Sequence, residues 1–154
     1  MRLGVLTEPD GENRVAIVPN SVKKLMKKGL EVFVEKNAGE KSNYSDSDYL
    51  DAGANICSRD EALSCEIIMS IRMLESSELR EGMNLVCVAD PFRHPEKIKS
   101  CINSNVTLFS MDMIPRRLSR AQSMDVNSSQ DNLAGYKAVL LGASHVSRGI
   151  PMMT

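Results

Sequence analysis

The chain has 154 residues, a formal net charge of −1, 42% apolar and 25% charged residues, the profile of one ordinary globular domain. So small a charge supplies no field to attract nucleic acid or an anionic membrane, and 4% aromatics without tryptophan leave little on which bases could stack. No apolar run approaches the roughly 20 residues of a membrane span, and the first apolar stretch ends at Thr7-Glu8-Pro9, too soon for a secretory leader.

In chain order the apolar pattern alternates between strand and helix periods. Leu3–Leu6 reads as a short strand. Pro19-Asn20-Ser21 opens a helix with Val22, Leu25 and Met26 on one face and lysines on the other, stopped by Gly29. Glu31–Glu35 is a second strand. Ser45 or Ser47 caps a short helix through Leu50, and Gly53 ends it. Ala54–Cys57 is a weak strand, Arg59–Leu63 a short helix, Glu66–Ile71 a fourth strand. Leu74–Arg80 is a helical turn closed at Gly82; Asn84–Ala89 is a fifth strand, Pro95–Ile102 a helix and Val106–Phe109 a sixth strand.

Strands alternating with helices predict an α/β fold: a single three-layer domain, flavodoxin-like, with a mostly parallel sheet covered on both faces. After residue 110 the rhythm breaks into a polar, arginine-rich stretch. A long helix then starts at Ser128, with Ser128 and Asp131 as the capping pair. Leu133, Tyr136, Leu140, Ala143 and Val146 carry its helical spacing. The expected division is 1–127, an α/β domain that includes a loop at 115–127, and 128–150, a linking helix. Cys57, Cys65, Cys87 and Cys101 form no C-x-x-C pair, which suits buried thiols in a reducing cytoplasm. With only His94 and His145 beside them, no metal site is expected.

Dinucleotide-binding folds need G-x-G after the first strand, for a tight turn and for close approach of the backbone to the pyrophosphate. The nine glycines stand at 4, 11, 29, 39, 53, 82, 135, 142 and 149, no two separated by a single residue, and none precedes a lysine. A P-loop is therefore excluded as well. The stretch from Val139 to Gly149 reads as the end of the long helix rather than as a phosphate loop. A chain of this kind cannot hold a whole dinucleotide by itself.

Two segments can carry chemistry. Glu8–Ala16 follows the first strand at the carboxyl edge of the sheet, where open α/β sheets bind ligands; Arg14 there either faces a carboxylate or phosphate or is tied to a loop acid such as Glu8. Pro115–Ser129 gathers three arginines, Gln122, Asp125 and several serines before a helix. It suits hydrogen bonds to a carboxamide and a ribose, or else is a solvated loop.

Both segments resemble the alanine dehydrogenase and NAD(P) transhydrogenase family. The resemblance rests on Gly4-Val5-Leu6-Thr7-Glu8, Glu12-Asn13-Arg14-Val15-Ala16, Pro19, Asn37-Ala38-Gly39 and Ala52-Gly53-Ala54. The specific match is Arg120-Ala121-Gln122-Ser123-Met124-Asp125 with Ser128-Ser129-Gln130 and Asn132–Tyr136. It is similar to the nicotinamide-contacting loop of the transhydrogenase α subunit. Pro151–Thr154 resembles the approach to that family's Rossmann lobe.

The resemblance implies a lobe that holds NAD(H) jointly with a Rossmann lobe, for hydride transfer to NADP(H) on a partner subunit, coupled to proton movement through a membrane component. By position, Arg117, Asp125 and Ser128 orient the nicotinamide, and Gln122 approaches the partner's NADP(H); Gln122 and Asp125 are the catalytic candidates. The family has one residue fewer between the proline and Ser-Arg-Ala-Gln, so Arg116 and Arg117 both stand for the arginine role. Direct hydride transfer needs two rings held in near-attack geometry without water, and no general acid or base.

Alanine dehydrogenases use a lysine after the fourth strand and a histidine after the fifth. Here those places read Ser70-Ile71-Arg72 and Ala89-Asp90-Pro91, and arginine cannot shed a proton at working pH. An alanine dehydrogenase-like oxidoreductase and a non-catalytic remnant or regulatory module are the alternatives. The expected setting is cytoplasmic, peripheral to the inner membrane through partner subunits. An uncovered apolar patch is expected to favour self-association as a homodimer.

Overall fold

In the computed structural model, residues 1–147 are described; Pro151–Thr154 and the end of the anticipated 128–150 segment lie outside them. The chain divides into two compact units, Met1–Met111 and a second that begins at Asp112. The 115–127 loop therefore groups with the long helix.

The first unit runs β1 (Arg2–Val5), α1 (Pro19–Met26), β2 (Glu31–Glu35), α2 (Asp46–Asp51), β3 (Asn55–Cys57), α3 (Arg59–Leu63), β4 (Ile67–Arg72), β5 (Asn84–Val88), α4 (Pro95–Asn103) and β6 (Thr107–Ser110). Local chemistry sets these limits. Pro19 opens α1, since a helix start needs no N–H there. Gly29 follows it at φ +83°. Ser45 and Asp48 form a reciprocal capping box on α2, and Ser58 caps α3. The anticipated helix at Leu74–Arg80 is shorter, a 3-10 turn at Ser76–Glu78.

All six strands pair in parallel, in the order β3-β2-β1-β4-β5-β6. The α/β class is as the alternating pattern requires. The order is the doubly wound one of dinucleotide-binding sheets, not the 2-1-3-4-5 of flavodoxins, and its switch point lies between β1 and β4. Leu3, Val5, Val32 and Val34 pack on one face against Val22 of α1 and Tyr49 of α2. Phe33, Ile68, Leu85 and Cys87 pack on the other against Ala62 and Leu63 of α3 and Cys101 of α4.

Gly4 lies where α3 crosses β1: a Cβ there would come within 2.2 Å of the Ala62 carbonyl oxygen. Tyr49 is fully buried and donates its hydroxyl to the Ile17 carbonyl at 2.8 Å, fixing the long connection between β1 and α1. The face carrying α1 and α2 opens beyond β4. There Met1, Ile67, Val86 and Phe109 line a groove of about 550 Å³, with Phe109 53% exposed.

The second unit consists of a loop with two 3-10 turns, Met111–Met113 and Gln122–Met124, followed by α5 (Val126–His145). Gly142 lies inside α5, so no phosphate loop forms at that point. The helix begins two residues earlier than the capping pair anticipated. Asp125 is the cap, accepting the Ser128 amide at 3.0 Å. Two cap patterns overlap here, Asp125-x-x-Ser128 and Ser128-x-x-Asp131, and the carboxylate that can reach the exposed amide of the third helical residue takes the place. Leu133, Tyr136, Val139, Leu140 and Leu141 are all exposed on this helix. No helix among the described residues is long and apolar enough to cross a membrane.

Candidate functional site

The switch point of the first unit is filled by acids and arginines. After β1 the chain passes Leu6 and Thr7 into a loop whose Glu8 and Glu12 are both buried. Glu8 accepts the amides of Ile71 at 2.5 Å and Arg72 at 2.9 Å. It thus holds the end of β4, where the pairing with β5 slips between Met69 and Arg72. Burial pushes its carboxyl up, against the pull of those amides.

Glu12 accepts Arg14 Nε at 2.8 Å and Nη2 at 2.6 Å, and Arg72 Nε lies 3.2 Å away. The Arg14 guanidinium, with Arg72 behind it, holds the Glu12 carboxyl down at about 2. Arg14 is therefore tied to a loop acid, as one of its two readings had it: Glu12 accepts its hydrogen bonds and Glu8 adds its charge.

Beside this cluster a cavity of about 290 Å³ is bounded by Thr7, Glu8, Glu35, Arg59, Ser70 and Arg72 among others. Arg59 bridges Glu35 at 2.8 Å and Glu78 at 2.7 Å, and also donates to the Thr7 carbonyl at 3.2 Å. These contacts knit β2, α3 and the loop after β1 together. Sequence reasoning singled out Arg14 and missed Glu12 and Glu8 as the buried groups that organise this edge. An acid two residues from an arginine was the available signal.

All four cysteines are buried thiols, and burial raises that of Cys57 to about 11. Among the described residues, no three or more His, Cys, Asp and Glu side chains are grouped to hold a metal ion.

The second constellation is built from successive turns. Leu118, Ala121, Met124 and Asp125 donate their amides to Pro115, Leu118, Ala121 and Gln122 in order. Asp125 and Ser128, both anticipated, are brought together. Besides the amide contact, the Ser128 hydroxyl donates to Asp125 Oδ2 at 2.5 Å. These two Ser128 bonds, with Arg116 adding its charge, hold the Asp125 carboxyl below the usual range. Gln122 and Arg117 are exposed in the same loop. Among the described residues Arg117 enters no ion pair, whereas Arg116 reaches both Asp125 and Asp131.

The donor set suits one end of a nicotinamide cofactor. Ser128 and Asp125 keep lone pairs for a carboxamide NH2, and the guanidinium and Gln122 can serve its oxygen. No G-x-G turn follows β1; the connection there is the acid-and-arginine loop.

A six-stranded, all-parallel, doubly wound sheet followed by a polar loop and a long helix defines the class as α/β. Residues 4–134 match the family described as alanine dehydrogenase/PNT, N-terminal domain, and the chain belongs to that family. It is 36% identical over 154 residues to NAD(P) transhydrogenase subunit alpha of Cereibacter sphaeroides, covering 96% of this chain and 29% of that protein. Against the subunit alpha of the same name from Haemophilus influenzae the identity is 35% over 147 residues, covering 93% of this chain and 28% of that protein.

Among solved structures it superposes on transhydrogenase from Sinorhizobium meliloti with a TM-score of 0.92 and 38% identity, over 99% of this chain and 47% of that one. The chain thus spans less than half the length of each of these proteins. For an L-alanine dehydrogenase the values are 0.73 and 25%, over 78% of this chain and 34% of that one.

Proposed function

We propose that this chain is the lobe of a proton-translocating NAD(P) transhydrogenase that orients the nicotinamide of NAD(H) for hydride transfer to NADP+. The observation that carries the reading is the Asp125–Ser128 pair, fixed at the start of α5 by two hydrogen bonds within a loop that also presents Gln122 and Arg117. The bound nicotinamide supplies the hydride. The protein's own groups bind the carboxamide, fix the plane of the ring and keep water out. Gln122 faces the partner's NADP(H). The membrane component belongs to partner subunits, which keep this lobe at the inner membrane on its cytoplasmic side. The open groove at Val86 and Phe109 supports self-association of the lobe.

The alanine dehydrogenase reading is weaker on chemistry. Amine oxidation needs a proton acceptor, yet Arg72 has only donors and turns one towards Glu12, and Asp90 stands at the histidine position. His94 lies on the first turn before α4, 3.4 Å from Glu96.

A pull-down for a partner with a Rossmann lobe, followed by a transhydrogenation assay on the recovered complex, tests the proposal. Hydride transfer by the complex and none by the chain alone is the expected result. Micromolar NADH binding to the isolated chain in titration calorimetry contradicts the half-site argument. A complex containing the Rossmann lobe and the NADP(H) component that still transfers no hydride overturns the functional reading.

A further inference from the structure

We propose that Arg116 is a positioning residue, a clamp that closes the base of the 117–124 loop by bridging the carboxylates of Asp125 and Asp131. The two anticipated ligand contacts within that loop, Arg117 and Gln122, then owe their placement to a neighbour that touches no cofactor. The reaction this serves is the one proposed above; the clamp itself is a property of the chain without any ligand.

The geometry is that of a bracket. Arg116 Nη2 donates to Asp131 Oδ2 at 3.2 Å, and its Nε lies 3.9 Å from Asp125 Oδ1. Asp125 closes the loop at its far end and caps α5, while Asp131 stands on the second turn of that helix. One guanidinium therefore ties the entry of the loop to both its exit and the helix it leads into. A planar fork can serve two carboxylates at once, which a lysine ammonium does poorly. A second tether acts in parallel, since Asn127 Nδ2 donates to the Asp112 carbonyl at 2.9 Å.

Between the two ends of the bracket the described residues are ordered by the run of turn hydrogen bonds. The Asp125 side chain is 10% exposed, and Arg116 keeps half of its side chain in solvent. The bracket is thus built on a sheltered carboxylate and sits at the protein surface. Two adjacent arginines have divided the work: Arg116 is spent on the fold of the loop, and Arg117 remains for the ligand.

The test uses the full chain without nucleotide and its Arg116→Gln, Arg116→Lys and Arg117→Gln variants, read by amide hydrogen exchange of Ala121, Met124 and Ser128. Because Arg116 keeps half of its side chain in solvent, the bridge is a modest one, and Arg116→Gln is expected to speed exchange at these amides about threefold. Arg116→Lys should restore part of the protection and Arg117→Gln none of the change. The Asp125 carboxyl carbon should titrate at higher pH in Arg116→Gln and stay in place in Arg117→Gln.

In the recovered complex, Arg116→Gln is expected to lower kcat about threefold with KM for NADH unchanged, and Arg116→Lys to recover part of that loss, as suits a group that acts through another. Exchange and titration identical to the parent in Arg116→Gln, or identical in the two glutamine variants, overturn the clamp whatever the complex does. A normal clamp with an inactive parent complex overturns only the functional reading.

Discussion

At the carboxyl ends of β1 and β4, Glu8 and Glu12 are buried and each of their carboxylates is engaged by groups of the same unit. In the loop before α5, the side chains of Arg117, Arg120 and Gln122 are exposed, and Asp125 is held by one serine and one arginine. Both regions are built from acids and arginines at the end of a structural element. The first has turned its acids inward, where burial makes each carboxylate's pairing an obligation of the fold, while Arg14 and Arg72 stay about half exposed. The second keeps them at the surface, where pairing orders a loop without exhausting its hydrogen-bonding capacity. Position at a sheet's carboxyl edge alone favours the first region as a ligand site; engagement of its buried carboxylates within the fold is what supports the proposal of the second.

The largest expected effect tests whether the first unit has any slack. Gly4→Ala sets a Cβ 2.2 Å from a backbone oxygen of α3, and neither β1 at the centre of the sheet nor α3 can retreat cheaply. A loss of about 3 kcal/mol is expected, seen as a lower urea midpoint at constant m. An unchanged midpoint would mean that α3 is loosely held.

Glu12→Gln comes next. The glutamate's depressed pKa of about 2 means that its contribution is complete above the ordinary value near 4.5 and fades as pH falls from there towards 2. Discounting for the half-exposed Arg14 and Arg72, the contribution is about 2 kcal/mol at neutral pH. Glu8 has the opposite sign: its raised pKa favours folding below the unfolded value, and that gain is lost as pH rises through the folded one. The Gln variant should therefore be less stable at pH 7 and show a flatter stability curve between pH 4.5 and 2. Parallel curves for parent and variant would remove Glu12 from the cluster.

How much of this was legible in the chain depends on the range of the interactions. β2 and α3 lie within the residues read from pattern, Glu31–Glu35 and Arg59–Leu63, because Gly29 and Ser58 mark their starts locally. The strand order was not legible. A parallel sheet's order is settled by which helix covers which face, and Gly4 facing Ala62 is a contact across most of the unit. The Glu12–Arg14 pair is local and could be read from an acid two residues from an arginine, but that Arg72 joins Glu12 and that Glu8 holds the end of β4 depends on the loop lying over that strand. The cap of α5 is ambiguous in the sequence because Asp125, Ser128 and Asp131 repeat at the same spacing, and only the backbone shows which one stands outside the helix. The match to the loop motif was legible as a resemblance; the separate task of Arg116 appears only once Asp131 has been carried round by the helix.

A smaller effect is expected at Asp125, and it separates the cap from the chemistry. Asparagine caps helices about as well as aspartate, so Asp125→Asn should leave the thermal midpoint within a degree or two, while Asp125→Ala costs about 1 kcal/mol. If Asp125 orients the ring as proposed, Asp125→Asn in the recovered complex is expected to lower turnover about tenfold with little change in NADH affinity. Equal turnover for parent and Asn variant would reduce Asp125 to a cap.

The smallest effect is at Gly142, and it asks what the outer surface of α5 is for. A Cβ at Gly142 meets nothing within 4 Å, and alanine is preferred to glycine in a helix interior by up to about 1 kcal/mol. In the isolated chain Gly142→Ala should therefore raise the helix's resistance to amide exchange by up to about fivefold. Gly135→Ala, which also meets nothing, should do the same. If, on the proposed reading, a further lobe packs on α5, where Leu133, Tyr136, Val139, Leu140 and Leu141 are exposed, an added methyl group at a glycine notch will stand in its way. The same substitution should then strengthen the helix alone and weaken capture of the partner in the pull-down. If both glycine variants gain stability and capture the partner as well as the parent does, the glycines are not part of the docking face. A loss of helix protection in the isolated chain would show instead that this side of α5 is already covered by the chain itself.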